Sequence, residues 1–493
     1  MLDPADGAAF RAFAHRVLDD ALDGLNGVPD GPAWRPIPAG VKAALAEPLP
    51  RQPAGFEAAY TQFAQTIAPY ENGNRHPRFF GWVHGNGTAS GMIAELLAAA
   101  LNANVGGREH AAVYVERAVI AWSAEIFGFP ATASGILTSG TSLANLIAVL
   151  VARDAAAGGA VRVDGLGARR LTGYASVAAH RCVPAAFDIA GLGSAALRRI
   201  PLAPDGRIEI DRLRAAIAAD RTAGAQPFVV VATAGSVDTG AIDDVNALAD
   251  LCVAEGLWLH VDGAFGALAV LSPAHAPLLR GLERADSLAF DFHKWLHVPY
   301  DAGCVLVRDP ALHRAAFAAA AAYLTPAAQG TAAGEPWFAD YGPELSRRFR
   351  ALAIWFALKE HGSERFGAAI AENCRQAARL GARIAATPGL ELATPVTLNI
   401  VCLRYVNSAA AGDAGAPAAE LDALNAAIVV DLQERGVAVP STTRLDGRTV
   451  IRLNLTNHRV TDADLDLTLD AILESGRRLA RAARGSAPCA TIS

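Results

Sequence analysis

Four short stretches of this chain carry side chains whose types and order could do chemistry. The one with the clearest signal is Asp291-Phe-His-Lys-Trp295. Of 43 basic residues only three are lysines, Lys42, Lys294 and Lys359, so arginine does nearly all the ordinary surface work. Lys294 is kept between aromatics, at the end of the apolar run Ser287-Leu-Ala-Phe290. Arginine stays protonated, whereas a desolvated lysine can lose its proton and attack a carbonyl. A lysine snorkelling from a strand end is the plain alternative.

The second stretch, Leu137-Thr-Ser-Gly-Thr-Ser-Leu-Ala-Asn145, is a turn of small residues leading into an apolar helix. Free amides at a helix start, with hydroxyls alongside, make an anion site suited to phosphate. The Gly-Lys-Ser/Thr of a nucleotide loop is absent, and simple capping by Thr141 or Ser142 is the alternative. Third, Leu257-Trp-Leu-His-Val-Asp262 ends in an acid before Gly263-Ala-Phe-Gly266. Strand alternation puts His260 and Asp262 on one face, and a carboxylate ending an apolar strand needs a partner. That partner is either the next turn or a protonated ring nitrogen. Fourth, Tyr174-Ala-Ser-Val-Ala-Ala-His180 places an imidazole where it could stack on a planar ring, or simply be a satisfied histidine. A phosphate site, a ring-nitrogen acid, a stacking imidazole and an amine together describe a pocket for pyridoxal phosphate.

The elements that must position these groups follow from the pattern. Between about 135 and 308 short apolar strands alternate with helical stretches: 135–137, 171–176, 228–233, 257–262, 286–291 and 304–308, with helices at 142–155, 178–190 and 243–255. Alternation of this kind predicts a mostly parallel sheet covered by helices, with functional groups on loops beyond the strands' carboxyl ends. A helix near 112–127 stops at Gly128 and Pro130. We expect three regions: a helical N-terminal segment over 1–90 packing on another surface, a large α/β domain over 91–360, and a small α+β domain over 361–493. The Gly/Pro-rich stretch 322–346 reads as a lid or an interface segment. Residues 407–418 read as a surface loop and the tail from about 484 as disordered.

Composition excludes several classes. The 52% apolar content belongs to a filled globule, and the net charge of -6 comes without charge runs, basic stripe or polybasic patch, so neither nucleic acid nor a membrane surface is expected. The start, Met1-Leu-Asp-Pro-Ala-Asp6, lacks the plan of a signal peptide, and six scattered cysteines form no CxxC pair. The expected setting is the cytoplasm. No histidine spacing of metal-site type is present, so no metal is expected.

The ordered set resembles the group II pyridoxal-phosphate-dependent amino-acid decarboxylases, of the kind that act on aromatic L-amino acids. The residues carrying the resemblance are Thr138–Asn145, His180, Thr233 within Val231-Ala-Thr-Ala-Gly-Ser236, Gly240-Ala-Ile-Asp-Asp244, His260-Val-Asp-Gly-Ala264 and Phe292-His-Lys-Trp295. The flanking His76-Pro-Arg-Phe-Phe80 and Ser346-Arg-Arg-Phe-Arg350 match the aromatic branch. The resemblance implies a fold-type-I, aspartate-aminotransferase-like architecture with a seven-stranded sheet, working as a homodimer with shared sites. It implies that Lys294 bears the cofactor, Asp262 holds the ring nitrogen protonated, His180 lies over the ring and Ala264 beneath it. Gly140, Thr141 and Ser142 would bind phosphate, with help from His293, Asp291 and a neighbouring chain's Ser346, while Thr233 would lie by the ring hydroxyl. Trp82, Val83 and His84 fall where such enzymes line the side-chain pocket. A loop tyrosine protonates the carbanion in such decarboxylases. Counting back from Ser346, that position falls near Phe338, with Tyr341 three residues later. A phenylalanine there is compatible with oxygen-consuming aldehyde synthesis, so both outcomes stand. An acidic substrate selected by His84 or Arg108, an aminotransferase using Arg452, a carbon–carbon lyase and a non-enzymatic binding module are the remaining alternatives.

Overall fold

The apolar runs of the middle of the chain assemble, in the computed structural model, into one seven-stranded sheet. Its strands are β1 (Ser134–Thr138), β2 (Leu171–Ser176), β3 (Leu197–Ile200), β4 (Gln226–Thr233), β5 (Trp258–Asp262), β6 (Ser287–Asp291) and β7 (Gly303–Val307). They lie in the order β1-β7-β6-β5-β4-β2-β3. Strands β3, β2, β4, β5 and β6 pair in parallel, and β7 runs antiparallel between β6 and β1. Strands β2, β6 and β7 are buried at every residue, as expected of a sheet covered on both faces. This is the mostly parallel, fold-type-I architecture expected from the sequence. The strand not anticipated, β3, is a short edge strand reading Leu-Arg-Arg-Ile, whose charges suit an edge and break the apolar signature.

The structure describes residues 2–159, 161–319, 326–406 and 418–485. The first part of the 322–346 stretch, nearly all of the 407–418 loop and the tail beyond 485 lie outside the described residues. The chain divides into two compact units, one of residues 83–378 with 396–400, the other of residues 1–82, 379–395 and 401–493.

Within the unit containing the large sheet, local chemistry sets the helix ends. The Ala111–Phe127 helix stops at Gly128 (φ 67°) and the Val245–Glu255 helix at Gly256 (φ 63°), both left-handed C-caps that glycine adopts without strain. Asp244 caps the latter helix by accepting from the Ala247 N–H, while its neighbour Asp243 accepts from the Ile208 and Thr233 N–H groups at 2.7 and 2.8 Å. The paired acids after Gly240 thus have separate structural duties. The helical stretch Ala351–Ala385 breaks at Gly362 (φ 69°, ψ 159°). Arg347 is wholly buried and lies 2.6 Å from Glu116, also wholly buried. Its guanidinium donates to the carbonyls of Val105 and Leu137, and Glu116 accepts from the Leu137 N–H, so one ion pair pins β1 to two distant segments.

In the other unit, β8 (Leu390–Leu392), β9 (Ile400–Tyr405), β10 (Ser441–Leu445) and β11 (Arg448–Asn454) form a second sheet in the order β10-β11-β9-β8. The hairpin between β10 and β11 turns at Asp446-Gly447, both with positive φ, as a tight antiparallel turn requires. The Gly7–Asn26 helix is N-capped by Asp6 and has no buried residue. The His76–Phe80 motif pairs through its backbone with Val439, Phe80 N–H donating to Val439 O at 2.8 Å. Among the described residues, no helix is long and apolar enough to cross a membrane.

Candidate active site

The carboxyl ends of β2, β4, β5 and β6, with the loop after β1, each supply one part of a single cluster in the large-sheet unit. Lys294 lies in the helical turn Phe292–Trp295 directly after β6. Its Nζ stands 2.8 Å from Asp291 Oδ2, with only 3% of the Asp291 side chain and 18% of the Lys294 side chain exposed. Burial is the largest influence on this amine and works to strip its proton. Asp291 and then Asp262 outweigh it, and the Lys294 pKa ends above its ordinary value. The expectation that burial would deprotonate the amine is therefore reversed by the carboxylates around it. For Asp291 the balance runs the other way: burial disfavours its charge, but Lys294 and His293 hold its pKa below the usual carboxylate value.

His293 accepts the Ala302 N–H at Nδ1 (3.1 Å) and places Nε2 3.5 Å from Asp291 Oδ2. Burial pushes its pKa down, so the ring is neutral near pH 7. The loop after β1 packs against this turn. A Cβ built on Gly140 would lie 3.5 Å from His293 Cε1 and 3.8 Å from Asp291 Oδ1. The 17-residue helix Thr141–Ala157 starts there, so its free N–H groups and dipole open beside Lys294. Thr141 is buried and Ser142 exposed in its first turn. Gly85 approaches from another loop so closely that a Cβ would meet His293 O at 1.6 Å.

Asp262 ends β5 and is 4% exposed. It accepts the Ala264 N–H at 3.2 Å and the Asn145 side-chain amide at 3.1 Å. Burial pushes its pKa up, while Lys294 and His180 favour its charge. His180, beyond β2, accepts the Cys182 N–H at Nδ1 (3.3 Å), and Cys182 Sγ stands 2.9 Å from the same nitrogen. His180 is exposed to solvent, yet enough protein surrounds it that lost hydration lowers its pKa, against the pull of Asp262. Three buried oxygens in this region make no hydrogen bond of good geometry: Thr141 Oγ1, Thr233 Oγ1 and Asp291 Oδ1. The Thr141 hydroxyl is nonetheless close enough to Asp291 to favour its charge. An amine, a buried acid with an amide behind it, a helix N-terminus and buried hydroxyls in need of partners form a donor set that fits pyridoxal phosphate.

The substrate-side residues divide. His84 is half-buried, its ring 6.2 Å from that of Tyr300, which in turn lies 4.3 Å from the His293 ring. Val83 is buried. Trp82 belongs to the other unit, where it is 54% exposed, its ring 6.2 Å from Phe79 and its carbonyl accepting from Arg452. The loop residues are not brought to Lys294. Phe338 packs beneath the Arg347 guanidinium, 5.2 Å away, and Tyr341 lies against His313, whose Nε2 donates to the Tyr341 carbonyl at 2.8 Å. Ser346 is exposed on the segment just before Arg347.

Asn145, Cys182 and Ser287 were given no role from sequence, yet they touch Asp262, His180 and His260. A signal for Asn145 existed: it is four residues after Thr141 and so shares that residue's helix face. Nothing in the sequence marks Cys182 or Ser287.

The model of a family described as the pyridoxal-dependent decarboxylase conserved domain matches residues 38–406. An aromatic-L-amino-acid decarboxylase of Bacillus atrophaeus is 33% identical over 460 residues, covering 92% of this chain and 93% of that protein. An L-2,4-diaminobutyrate decarboxylase of Rhizobium meliloti is 31% identical over 435 residues, covering 88% and 84%. Among solved structures, Oryza sativa TDC with PLP and tryptamine superposes with a TM-score of 0.88 at 26% identity, covering 97% of this chain and all of that one.

Proposed function

This chain belongs to the pyridoxal-dependent decarboxylases, and on that premise we propose that it removes carbon dioxide from an aromatic L-amino acid and releases the amine. The observation that carries the choice of substrate is the state of the two groups that could have selected an acid. Burial first, then Lys294, lowers the pKa of His84, leaving a neutral ring beside the Tyr300 ring. The Arg108 guanidinium is turned over the Trp337 ring, 4.4 Å from its centre. Flat neutral rings suit stacking on an aromatic side chain, and no carboxylate is called for.

Pyridoxal phosphate, when bound, supplies a protonated ring that accepts the electron pair left by the departing carbon dioxide. Lys294 would hold the cofactor through its amine. Gly140, Thr141 and Ser142 hold the phosphate at the helix start, with neutral His293 alongside. Asp291 acts on the amine and His293 rather than on the phosphate, because a buried anion repels another. Asp262 keeps the ring-nitrogen proton in place. His180 and Ala264 would hold the cofactor ring between them, and Thr233, whose hydroxyl makes no hydrogen bond of good geometry, would offer it a polar contact.

The protein is proposed to work as a cytoplasmic homodimer. Leu96, Leu97 and Leu101 are exposed on the Ala89–Leu101 helix, more apolar surface than a lone helix face leaves to water. In such a dimer Ser346 would face the other subunit's phosphate site, and Phe338 or Tyr341 its substrate. Sedimentation of the purified protein tests the assembly. The reaction is tested by offering single L-amino acids while following carbon dioxide, amine, oxygen and peroxide together. Amine with no oxygen uptake is expected from tryptophan, tyrosine or phenylalanine. Aldehyde with peroxide would replace simple decarboxylation, and turnover of glutamate or 2,4-diaminobutyrate alone would overturn the aromatic assignment.

A further inference from the structure

Behind Asp262, on the side away from Lys294, runs a buried line of polar groups that the mechanism above does not use. Asn145 Nδ2 lies 3.1 Å from Asp262 Oδ2, His260 Nε2 lies 2.7 Å from Asn145 Oδ1, and His260 Nδ1 lies 2.9 Å from Ser287 Oγ. Trp258 Nε1 closes the line 2.8 Å from the same Ser287 oxygen. His260 and Ser287 are 0% exposed and Asn145 1%.

The hydrogen positions in this line follow from what each group can do. An indole N–H only donates, so Ser287 Oγ accepts from Trp258. A carboxylate only accepts, so the Asn145 amide turns its nitrogen to Asp262 and its oxygen to His260; reversed, two acceptors would meet. His260 Nε2 must then carry the ring proton. Burial pushes the His260 pKa down to about 4, so the ring has a single proton and Nδ1 accepts from the Ser287 hydroxyl. Every hydrogen in the line therefore points the same way, toward Asp262. The Asn145 amide also stands 3.2 Å from Cys182 Sγ, which is 2.9 Å from His180 Nδ1, so one amide braces both groups expected to flank the cofactor ring.

We propose that Trp258, Ser287, His260 and Asn145 are positioning residues, a one-way hydrogen-bond relay that holds Asp262 as the anion needed by a protonated ring nitrogen. Aligned donors polarise one another, and a hydrogen bond to a buried charge is stronger than one between neutral groups. The inference rests on the pyridoxal phosphate reading of the site.

The test compares two aldehydes on full-length apoprotein: pyridoxal phosphate, and its analogue with carbon in place of the ring nitrogen. Dissociation constants for both are measured with wild type, His260→Leu, His260→Gln and Ser287→Ala. Wild type should prefer pyridoxal phosphate, because only that ring meets Asp262. His260→Leu is expected to lose up to about tenfold of this preference, the upper worth of a hydrogen bond between neutral groups, here the one from His260 to the Asn145 carbonyl oxygen. His260→Gln, which restores an N–H toward Asn145, should keep most of it, and Ser287→Ala should fall between. Ser287→Ala carries the same test should the leucine variant fail to fold. Equal weakening toward both aldehydes in His260→Leu and Ser287→Ala would mean that the line only supports the fold, and would overturn the relay. A wild-type protein taking up neither aldehyde would overturn the cofactor reading itself, a result distinct from any change among variants.

Discussion

Replacing Asp291 by asparagine keeps the shape of the side chain and removes the charge that holds Lys294. At the observed 2.8 Å separation, with an effective dielectric constant near 20, the attraction is about 6 kcal/mol. Stripping water from both groups offsets part of this, and breaking a buried pair by removing one partner costs roughly 3–5 kcal/mol. We take the lower end, about 3 kcal/mol, because Lys294 retains some exposure and can shed its proton. For a unit of this size, about 2 °C per kcal/mol gives an expected drop of about 6 °C in the unfolding temperature of the apoprotein by scanning calorimetry at pH 7. The sign against pH follows from the two shifts. The raised Lys294 pKa gives stability that is complete below its ordinary value and lost as pH rises through the folded value. The lowered Asp291 pKa gives stability present above its ordinary value and lost as pH falls through the folded one. The gap between wild type and variant should thus be widest between about pH 4 and pH 10 and close toward both extremes. A variant melting within about 1 °C of wild type at pH 7 would refute the idea that this ion pair fixes the lysine turn.

Three further outcomes are expected. Lys294→Ala should leave no pyridoxal phosphate attached after borohydride treatment, read by mass spectrometry; a trapped adduct at another residue would remove Lys294 from its assigned role. Gly85→Ala, whose methyl would enter the His293 carbonyl, should weaken cofactor binding about tenfold through a strain of 1–3 kcal/mol, whereas Gly24→Ala, with open space around it, should change nothing. Because lost hydration lowers the His180 pKa, the ring is neutral at pH 7, and the acid limb of kcat/KM should fall below pH 6.5, as protons enter. An acid limb moved above pH 7 in wild type would contradict that assignment.

The sequence spoke most clearly where one residue type had to stand at one place. Lys294 was conspicuous because the chain otherwise prefers arginine, and strands β4 to β7 were legible because strands buried on both faces are written largely in apolar residues. The Gly128 stop was visible because glycine marks where a helix ends. Less was legible where meaning depends on distant partners. Arg347, in the run Arg347-Arg-Phe-Arg350, gave no sign that its side chain would be wholly buried, since its partners come from residues 105, 116 and 137. Ser287 looked like ordinary strand filler, and its role appears only once β5 and β6 lie side by side. The lysine's charge state was misjudged because burial was weighed without the two carboxylates that the fold delivers.

The Arg347–Glu116 pair also bears on how the chain reaches this fold. Both groups are wholly out of water, and the hydrogen bonds they make draw on backbone from the β1 strand and the Val105 segment, while Glu116 Oε2 and Arg347 Nε make none. Guanidinium and carboxylate cannot shed their hydration one contact at a time without crossing a state that is dry but unpaired, which costs several kcal/mol. Closure here therefore joins segments more than 200 residues apart, the kind of non-local contact that slows folding. A nascent chain has to wait for residue 347 to leave the ribosome before β1 can seal, so the edge of the sheet nearest the N-terminus is among the last to set.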